Sequence, residues 1–349
     1  MKELLPDLLN WLKNGESIAI ATVIQTWGSS PRQVGAKMAL TASGKMTGSV
    51  SGGCVEGAVV EAGIEVLQSR VPRLLHFGVA DETAWEVGLA CGGTIEVFVQ
   101  PLEARDLQTI KDAIQSETPS ARAIVIQGPA GLLGSNLFWS EKQVSAVGFS
   151  LEMEQSLIQA AQTSLAGGQP RRIQLTAEGV EVFVDVFLPS PMLVIVGGVH
   201  ISIALAKLAK VLGYRTVIVD PRKAFGNSER FPHADQLIQA WPDEAIHSLA
   251  VSHTTAIVVL THDPKLDDPA LMAALPGPAY YVGALGSKST QAKRRARLIE
   301  AGLSPSQVDR LHGPIGLDLG AHSPEEIALS ILAEIVATRR AVTEGSYKF

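Results

Sequence analysis

No apolar run in this chain approaches the roughly 20 residues that a membrane-spanning helix requires. Nor does an excess of basic residues invite nucleic acid or an anionic lipid surface. The 349 residues hold 29 Lys and Arg against 35 Asp and Glu, a formal net charge of −6, so the overall field attracts neither partner. An export signal is missing as well. Residues 1–16 set Glu3 and Asp7 among Leu4, Leu5, Leu8, Leu9 and Leu12. That is an amphipathic helix stripe, not a basic start followed by an uninterrupted apolar core. These absences are read as a soluble, cytoplasmic protein. Cysteine is nearly absent too: Cys54 and Cys91 are the only two, and cytosolic thiols stay reduced, so no disulfide is expected between them.

What is present sits around those two thiols. Cys54 follows Gly52 and Gly53, and Cys91 precedes Gly92 and Gly93. Glycine pairs let backbone approach a ligand closely, because no Cβ intervenes and positive φ is tolerated. Val55, Val59, Ala62, Val66 and Leu67 recur at helical spacing, which predicts a helix from about residue 51. Cys54 would then lie in a first helical turn, where free N–H groups and the helix dipole favour a thiolate. The plainer reading is that each cysteine packs as a small apolar residue. Two thiols in the same glycine setting, both at element ends, favour function.

A hydrophobic content of 46% and a charged content of 18% suffice for two full cores. Strand patterns occur at residues 18–26, 73–77, 94–99, 123–127, 143–148 and 181–187. A hairpin at 37–50 turns at Thr41-Ala-Ser-Gly44, and a helix spans 152–165. The first half therefore reads as α+β with mixed strands, without an internal repeat. Pro189-Ser190-Pro191 then breaks the chain, which sets domains at 1–189 and 190–349. Beyond it, strand patterns at 192–196, 216–219, 236–239, 256–260 and 279–282 alternate with helical stretches. That alternation is the signature of βαβ units and a parallel, Rossmann-like sheet.

Residues 192–220 have the outline of a dinucleotide-binding opening: strand, glycine turn, helix, strand and acid. The fingerprint is broken, because Val199 and Ser202 stand where its second and third glycines belong. Asp220 has the position of the ribose-binding acid, but Pro221-Arg222 follows it, so an Arg-paired turn residue is an equal reading. If the strands order as 3-2-1-4-5, the crevice lies between the first and fourth. The loops of Gly197, Gly198 and His200 and of Thr261, His262 and Asp263 would then converge there. Gly283-Ala-Leu-Gly286-Ser287-Lys288 opens a helix with glycine, hydroxyl and lysine. It suits a phosphate, or is an ordinary strand-to-helix turn. Ser323-Pro324-Glu325-Glu326 reads as a structural capping box, and Lys293, Arg294, Arg295 and Arg297 as a solvated helix face.

Taken together, Gly28-Ser-Ser-Pro31-Arg32, Gly48 to Glu56, Cys91-Gly-Gly93, Asp220-Pro-Arg222, Arg230 to Asp235, Thr261-His-Asp263, Gly283 to Ser287 and Gly313 to Glu326 resemble the XdhC/CoxI family. Its members are accessory factors that mature molybdenum hydroxylases such as xanthine dehydrogenase and carbon monoxide dehydrogenase. Many relatives keep Gly-x-Gly-His in the nucleotide-like turn, and Val199 departs from that. The resemblance implies a carrier, not a turnover enzyme. It would bind molybdenum cofactor as cargo, in mononucleotide or dinucleotide form, support its sulfuration and deliver it. An apo molybdenum hydroxylase and a cysteine desulfurase are the implied partners, with the chain itself as a homodimer. Cys54, Cys91, His262 and Asp263 are the candidate reactive groups, and no resident metal site is expected. Gly52, Gly53, Gly92, Gly93, Gly197, Gly198, Gly283 and Gly286, with His200, Asp220, Ser287 and Lys288, are candidates for holding the cofactor. Two other readings compete. One is an NAD(P)-dependent oxidoreductase with His200 or His262 as proton donor, which the broken glycine pattern opposes. The other is a sulfur or copper carrier with the two thiols as soft ligands.

Overall fold

The leucine stripe at the start forms α1 (Leu5–Lys13), which buries Leu5, Leu8 and Trp11. In this computed structural model, described for residues 1–344 apart from 29, 31, 79–92, 147 and 176–178, the chain divides into two units, Met1–Pro189 and Ser190–Phe349. After α1 the first unit runs β1 (Ile18–Trp27), β2 (Lys37–Thr41), β3 (Met46–Gly48), α2 (Glu56–Ser69), β4 (Arg73–Phe77) and β5 (Thr94–Pro101). It continues through α3 (Ala104–Gln115), β6 (Ser120–Gln127), β7 (Asn136–Ser140), β8 (Gln143–Ala146), α4 (Leu151–Ala166), β9 (Arg171–Gln174) and β10 (Glu181–Phe187).

These elements make two five-stranded sheets, ordered β3-β2-β1-β5-β4 and β8-β7-β6-β10-β9. The second order is the first with every label advanced by five. Each sheet is preceded by one helix and interrupted by another after its third strand. The unit is therefore a duplicated α-β-β-β-α-β-β fold, which corrects the expectation of no internal repeat. Short stretches of sequence mark the copies. Ala21, Val23, Ile24 and Gln25 recur as Ala123, Val125, Ile126 and Gln127, and Glu96-Val-Phe-Val99 recurs as Glu181-Val-Phe-Val184. Even the irregularity repeats: Ile24 is skipped in the β1–β5 register and Ile126 in the β6–β10 register, a β-bulge at the same place in both sheets. Every pairing in both sheets is antiparallel, so the expectation of mixed strands is also corrected. Alternation along a strand looks the same in either direction, and only pairing fixes it.

The inner strands β1, β5, β6 and β10 are buried on both faces, which explains their near-continuous apolar sequence. Ala19, Ala21, Val23, Val97 and Val99 pack under Val59 and Val66 of α2. Ala121, Ala123, Val125, Val182 and Val184 pack under Leu157 and Ala161 of α4. Between the sheets lie Ile24, Phe98, Ile124, Ile126 and Phe183. The layers run helix, sheet, sheet, helix. Two polar ties join the sheets: the buried pair of Lys37 and Asp185 at 2.9 Å, and the partly buried Arg172 with both Glu96 and Glu181, the repeat-related pair.

The second unit runs β11 (Met192–Val196), α5 (His200–Val211), β12 (Arg215–Val219), β13 (Gln236–Ile238), α6 (Pro242–Ser248) and β14 (Thr255–Val259). It closes with α7 (Pro264–Ala274), β15 (Tyr281–Ala284), α8 (Lys288–Glu300), α9 (Pro305–Val308), β16 (Leu311–His312) and α10 (Pro324–Glu344). Its six-stranded sheet is ordered β13-β12-β11-β14-β15-β16 and parallel throughout. Read within the unit this is 3-2-1-4-5-6, so the expected reversal does fall between β11 and β14. Helices α6, α7 and α8 cover one face through Ile246, Leu271 and Leu298. Helices α5 and α10 cover the other through Leu205, Ala209, Ile331 and Ile335. Ser323 and Glu326 cap α10 as expected: Glu326 N–H donates to Ser323 Oγ, and Ser323 N–H to Glu326 Oε2. Among the described residues no helix is long and apolar enough to cross a membrane.

Candidate functional site

Three loops leave the same end of the first sheet: those after β1, after β3 and between β4 and β5, as the antiparallel registers require. The loop after β3 carries the Gly-Gly-Cys sequence. Helix α2 begins at Glu56 with Val55 as its N-cap, not at about residue 51, so Cys54 lies outside the helix. The cause is the Glu56 side chain, which folds back into the loop. Its Oε1 accepts from the N–H groups of Ser51 (2.9 Å), Gly52 (3.0 Å) and Val50 (3.3 Å) and from Ser49 Oγ (2.8 Å). Its Oε2 accepts from Gly53 N–H (2.9 Å) and from the Ser51 hydroxyl. Gly52 and Gly53 adopt φ of 84° and 123°, which their neighbours' side chains would resist and which lets successive N–H groups point at one carboxylate. Burial opposes the charge on Glu56, but these hydrogen bonds outweigh it and hold the carboxyl pKa down to about 2.

That arrangement alters what the glycines do. Their amides serve Glu56, so the expected free N–H groups at Cys54 are already engaged. Cys54 is a free, half-buried thiol, and its own N–H donates to Ser51 Oγ at 3.0 Å. A Cβ on Gly53 would meet nothing within 4 Å, so the loop presents bare backbone on one side of the thiol. Cys91 and Gly92 lie outside the described residues. Gly93 is buried directly before β5. The second repeat keeps neither long loop: β8 ends at Ala146 with α4 starting at Leu151, and β9 ends at Gln174 with β10 starting at Glu181. Both cysteine sequences belong to stretches that only the first copy extends.

In the second unit the crevice between β11 and β14 brings together the loops that the topology predicted. Val196 and Val259 are in register, and a Cβ on Gly197 would stand 2.6 Å from Thr261 Cγ2. Gly197 has φ of 104°, and His200 starts α5 with its side chain exposed. His262 is exposed and holds a left-handed φ of 64°. A non-glycine residue adopts that conformation at a cost, and such strain gathers at functional sites. Asp263 is engaged locally as the N-cap of α7, accepting from Lys265 N–H at 3.0 Å. Asp220 is only 1% exposed. It accepts from Gly198 N–H (2.8 Å) and from the backbone N–H, Nε and Nη2 of Arg222 (2.9, 2.9 and 2.8 Å). Burial alone would raise its pKa, but these donors hold it below the usual carboxylate range.

Of the two readings of Asp220, the structure takes the Arg-paired one, since no acceptor remains turned to a ribose. Phe225 closes the same place. A Cβ on Gly198 would stand 2.3 Å from the Phe225 carbonyl oxygen. Arg230 donates to the Gly198 carbonyl at 2.9 Å, and the Arg222 guanidinium lies 4.0 Å above the Phe225 ring. Gly198→Ala must therefore displace backbone and not merely a flexible side chain. It is expected to cost about 2 kcal/mol, within the range for overpacking, and to lower the midpoint of thermal unfolding by roughly 5 °C. An unchanged melting curve would show that the segment yields freely.

The Gly283–Lys288 stretch divides in two. Gly283 lies inside β15, where a Cβ would collide with Ile315 and with the Tyr281 hydroxyl at 2.7 Å; its role is close packing. Gly286 (φ 137°) forms the turn, Ser287 caps α8 by accepting from Thr290 N–H, and Lys288 is exposed. Behind the turn lies a cluster that sequence reasoning missed. Gln291 donates to the carbonyl of Ala284 (2.8 Å), and Arg294 to that of Leu285 (3.1 Å). Arg294 pairs with Asp267 at 2.8 Å, both about 98% buried or more, and Asp267 accepts from the Thr261 hydroxyl. The expectation of a solvated basic face fails at Arg294 for this reason. Arg295 and Arg297 stay partly exposed and pair with Asp309 and Asp268. On the far side, Glu334 accepts from Tyr281 Oη (2.6 Å) and Gly316 N–H (2.7 Å) and holds His312 Nδ1 at 3.0 Å. Nothing in local spacing links these residues; only the sheet does. Among the described residues no group of three or more His, Cys, Asp or Glu side chains could hold a metal ion.

Comparison with known proteins covers both units. Residues 193–335 match the XdhC Rossmann domain and residues 11–78 the XdhC and CoxI family. The chain is 29% identical to a probable xanthine dehydrogenase subunit from Bacillus subtilis (strain 168), over 95% of its own length and 96% of that protein. It is 27% identical to the molybdenum cofactor insertion chaperone PaoD of Escherichia coli (strain K12), over 96% of its length and 87% of PaoD. The crystal structure of a xanthine dehydrogenase from Bacillus halodurans superposes with a TM-score of 0.78 at 25% identity, over 99% of this chain and 98% of that one.

Proposed function

Because the chain belongs to the XdhC and CoxI family, we propose that it is a maturation factor for molybdenum enzymes. It binds molybdenum cofactor as cargo, supports the cofactor's sulfuration and hands it to an apo molybdenum hydroxylase. The observation that carries this reading is the Cys54 loop. A free thiol stands beside bare glycine backbone, on a loop that the second repeat of the same fold lacks. A soft thiolate suits an oxo- or sulfido-molybdenum centre, and Cys91 is proposed as its companion. The similarity to PaoD along nearly the whole chain supports the same cargo.

Gly286, Ser287 and Lys288 are proposed, within the second unit, as cofactor-binding residues suited to a phosphate, because the α8 N-terminus and a lysine favour an anion. His200, His262 and Asp263 line the neighbouring crevice and are proposed to meet the polar pterin. A cysteine desulfurase is the proposed source of sulfur, with the reaction run in the cytoplasm on a homodimer. The occupied Asp220 and the Phe225 backbone weigh against the oxidoreductase reading.

The test is a titration of the purified chain with molybdenum cofactor and, in parallel, with NAD(P)H. Cofactor binding is expected to fall at least about tenfold in Cys54→Ser, and to weaken in Lys288→Glu through charge repulsion without loss of fold. Micromolar NAD(P)H binding, or cofactor binding indifferent to Cys54, would overturn the proposal.

A further inference from the structure

The two repeats differ in how the space between the leading helix and the sheet is filled. Register fixes the equivalence. Thr22 faces Lys37 and Phe98 just as Ile124 faces Asn136 and Phe183, so Ile20 corresponds to Arg122. Met38 faces Gly48 as Leu137 faces Ala146. The leading helices start at Leu5 and Ala104, with Leu8 and Leu107 buried alike. Trp11 then corresponds to Ile110, and Leu4 to Glu103.

In the first copy the space between helix and sheet is filled. Leu4, Leu5, Leu8, Trp11, Ile18 and Ile20 form one apolar cluster. Leu4 lies so near Gly48 that a Cβ there would come within 2.7 Å of it. In the second copy the counterparts of the filling residues are Glu103, Ala104, Leu107, Ile110, Ser120 and Arg122. Four of them, Glu103, Ala104, Ile110 and Arg122, line a cavity of about 500 Å³ that reaches Ala146, the counterpart of Gly48. Four large apolar side chains have become smaller or polar, and an isoleucine has become an arginine. A cavity and a buried guanidinium both cost stability. The first repeat shows that the fold does without either.

The arginine is also underused. Arg122 is 4% exposed. It donates through Nη2 to Asp106, while its Nε is buried without an acceptor. Asp106 accepts in addition from Asn136 at 2.9 Å. Asp185, opposite Arg122 in the ladder, is held by Lys37, and Glu103 at the rim is drawn outward by Arg70. Arg105 lines the cavity and donates to Ser145 Oγ at 3.1 Å. With Glu103 paired to Arg70, the cavity's lining holds the buried Arg122 and the exposed Arg105 against one aspartate. The first turn of α3, whose N-cap makes no side-chain bond, adds its unmatched N–H groups.

We propose that this cavity is a binding site for a small oxyanion-bearing molecule, a carboxylate or a phosphate, whose anionic group pairs with the Arg122 guanidinium at its lining. The site is separate from the cysteine loop and lies in a part of the chain, residues 103–146, that neither matched family segment covers.

Calorimetric titration of the full chain with inorganic phosphate and with malonate tests it, with glycerol as the uncharged control. One anion is expected to bind at a single site and glycerol not at all. Arg122→Gln is expected to weaken that binding at least about tenfold, as loss of a charge-assisted hydrogen bond should. Because Arg122 also braces Asp106, the triple variant Glu103→Leu, Ala104→Leu, Ile110→Trp provides the second test. It restores the side chains that fill the first repeat, leaves the Arg122–Asp106 pair in place, and is expected to abolish binding with the thermal midpoint held or raised. Binding that survives it would put the anion elsewhere and overturn the proposal. Absence of heat for both anions would overturn it equally, leaving a cavity that holds water only.

Discussion

Glu56→Gln is expected to lower the stability of the first unit by about 2 kcal/mol at pH 7, and to lose most of that effect near pH 2. An amide of the same shape keeps one acceptor but turns an N–H₂ toward donors. It then faces either the N–H groups of Ser51 and Gly52 or that of Gly53. The pH dependence follows from the direction of the shift. Glu56 has its folded pKa lowered from 4.5 to about 2. Its contribution is therefore complete above pH 4.5 and disappears as the pH falls through 2. Glutamine does not titrate, so urea midpoints of the two proteins should converge across that window. A gap that stays constant with pH would show that shape, not charge, holds the loop. The same substitution should free the thiol's surroundings. Alkylation of Cys54, followed by peptide mass to separate it from Cys91, is expected to run several-fold faster. An unchanged rate would detach Glu56 from the display of Cys54.

The sequence conceals this loop for a physical reason. Val55, Val59, Ala62 and Val66 are helical in spacing, and the last three do form one face of α2. Periodicity, however, locates a face and not a first residue. The start is decided by a side chain reaching back to Ser51, a contact that spacing cannot display. The second unit is more legible, because alternating strands and helices admit few topologies and right-handed crossovers leave fewer still. Its sheet order and the meeting of the Gly197 and Thr261 loops follow from that restriction. The duplication is hidden for the opposite reason. Two copies of an antiparallel sheet preserve pattern and register while their residues drift. Only the bulge at Ile24 and Ile126, with the glutamate that follows it on the partner strand, fixes the sequence enough to remain visible. Arg294 is hidden because a basic run on a helix ordinarily faces water, and nothing near it in sequence announces Asp267.

The second large effect concerns that pair. Arg294→Met is expected to cost about 3–5 kcal/mol, since it leaves the Asp267 carboxylate buried and uncompensated. For a unit of this size the thermal midpoint should drop by roughly 10 °C. Adding Asp267→Leu should recover most of the loss, because an apolar pair of similar volume removes both desolvation penalties at once. What the apolar pair cannot do is hold backbone. Arg294 and Gln291 draw the carbonyls of Ala284 and Leu285 inward, and Asp267 ties in the Thr261 hydroxyl. The pair thereby fixes two loops that leave neighbouring strands at the sheet's carboxyl edge. The double variant should therefore melt near the parent while the Gly286–Lys288 turn loses its set position. Molybdenum cofactor binding is then expected to fall at least about tenfold despite recovered stability. A double variant that both melts and binds like the parent would reduce the ion pair to packing. One that melts as low as Arg294→Met alone would mean that the carboxylate was not the cost.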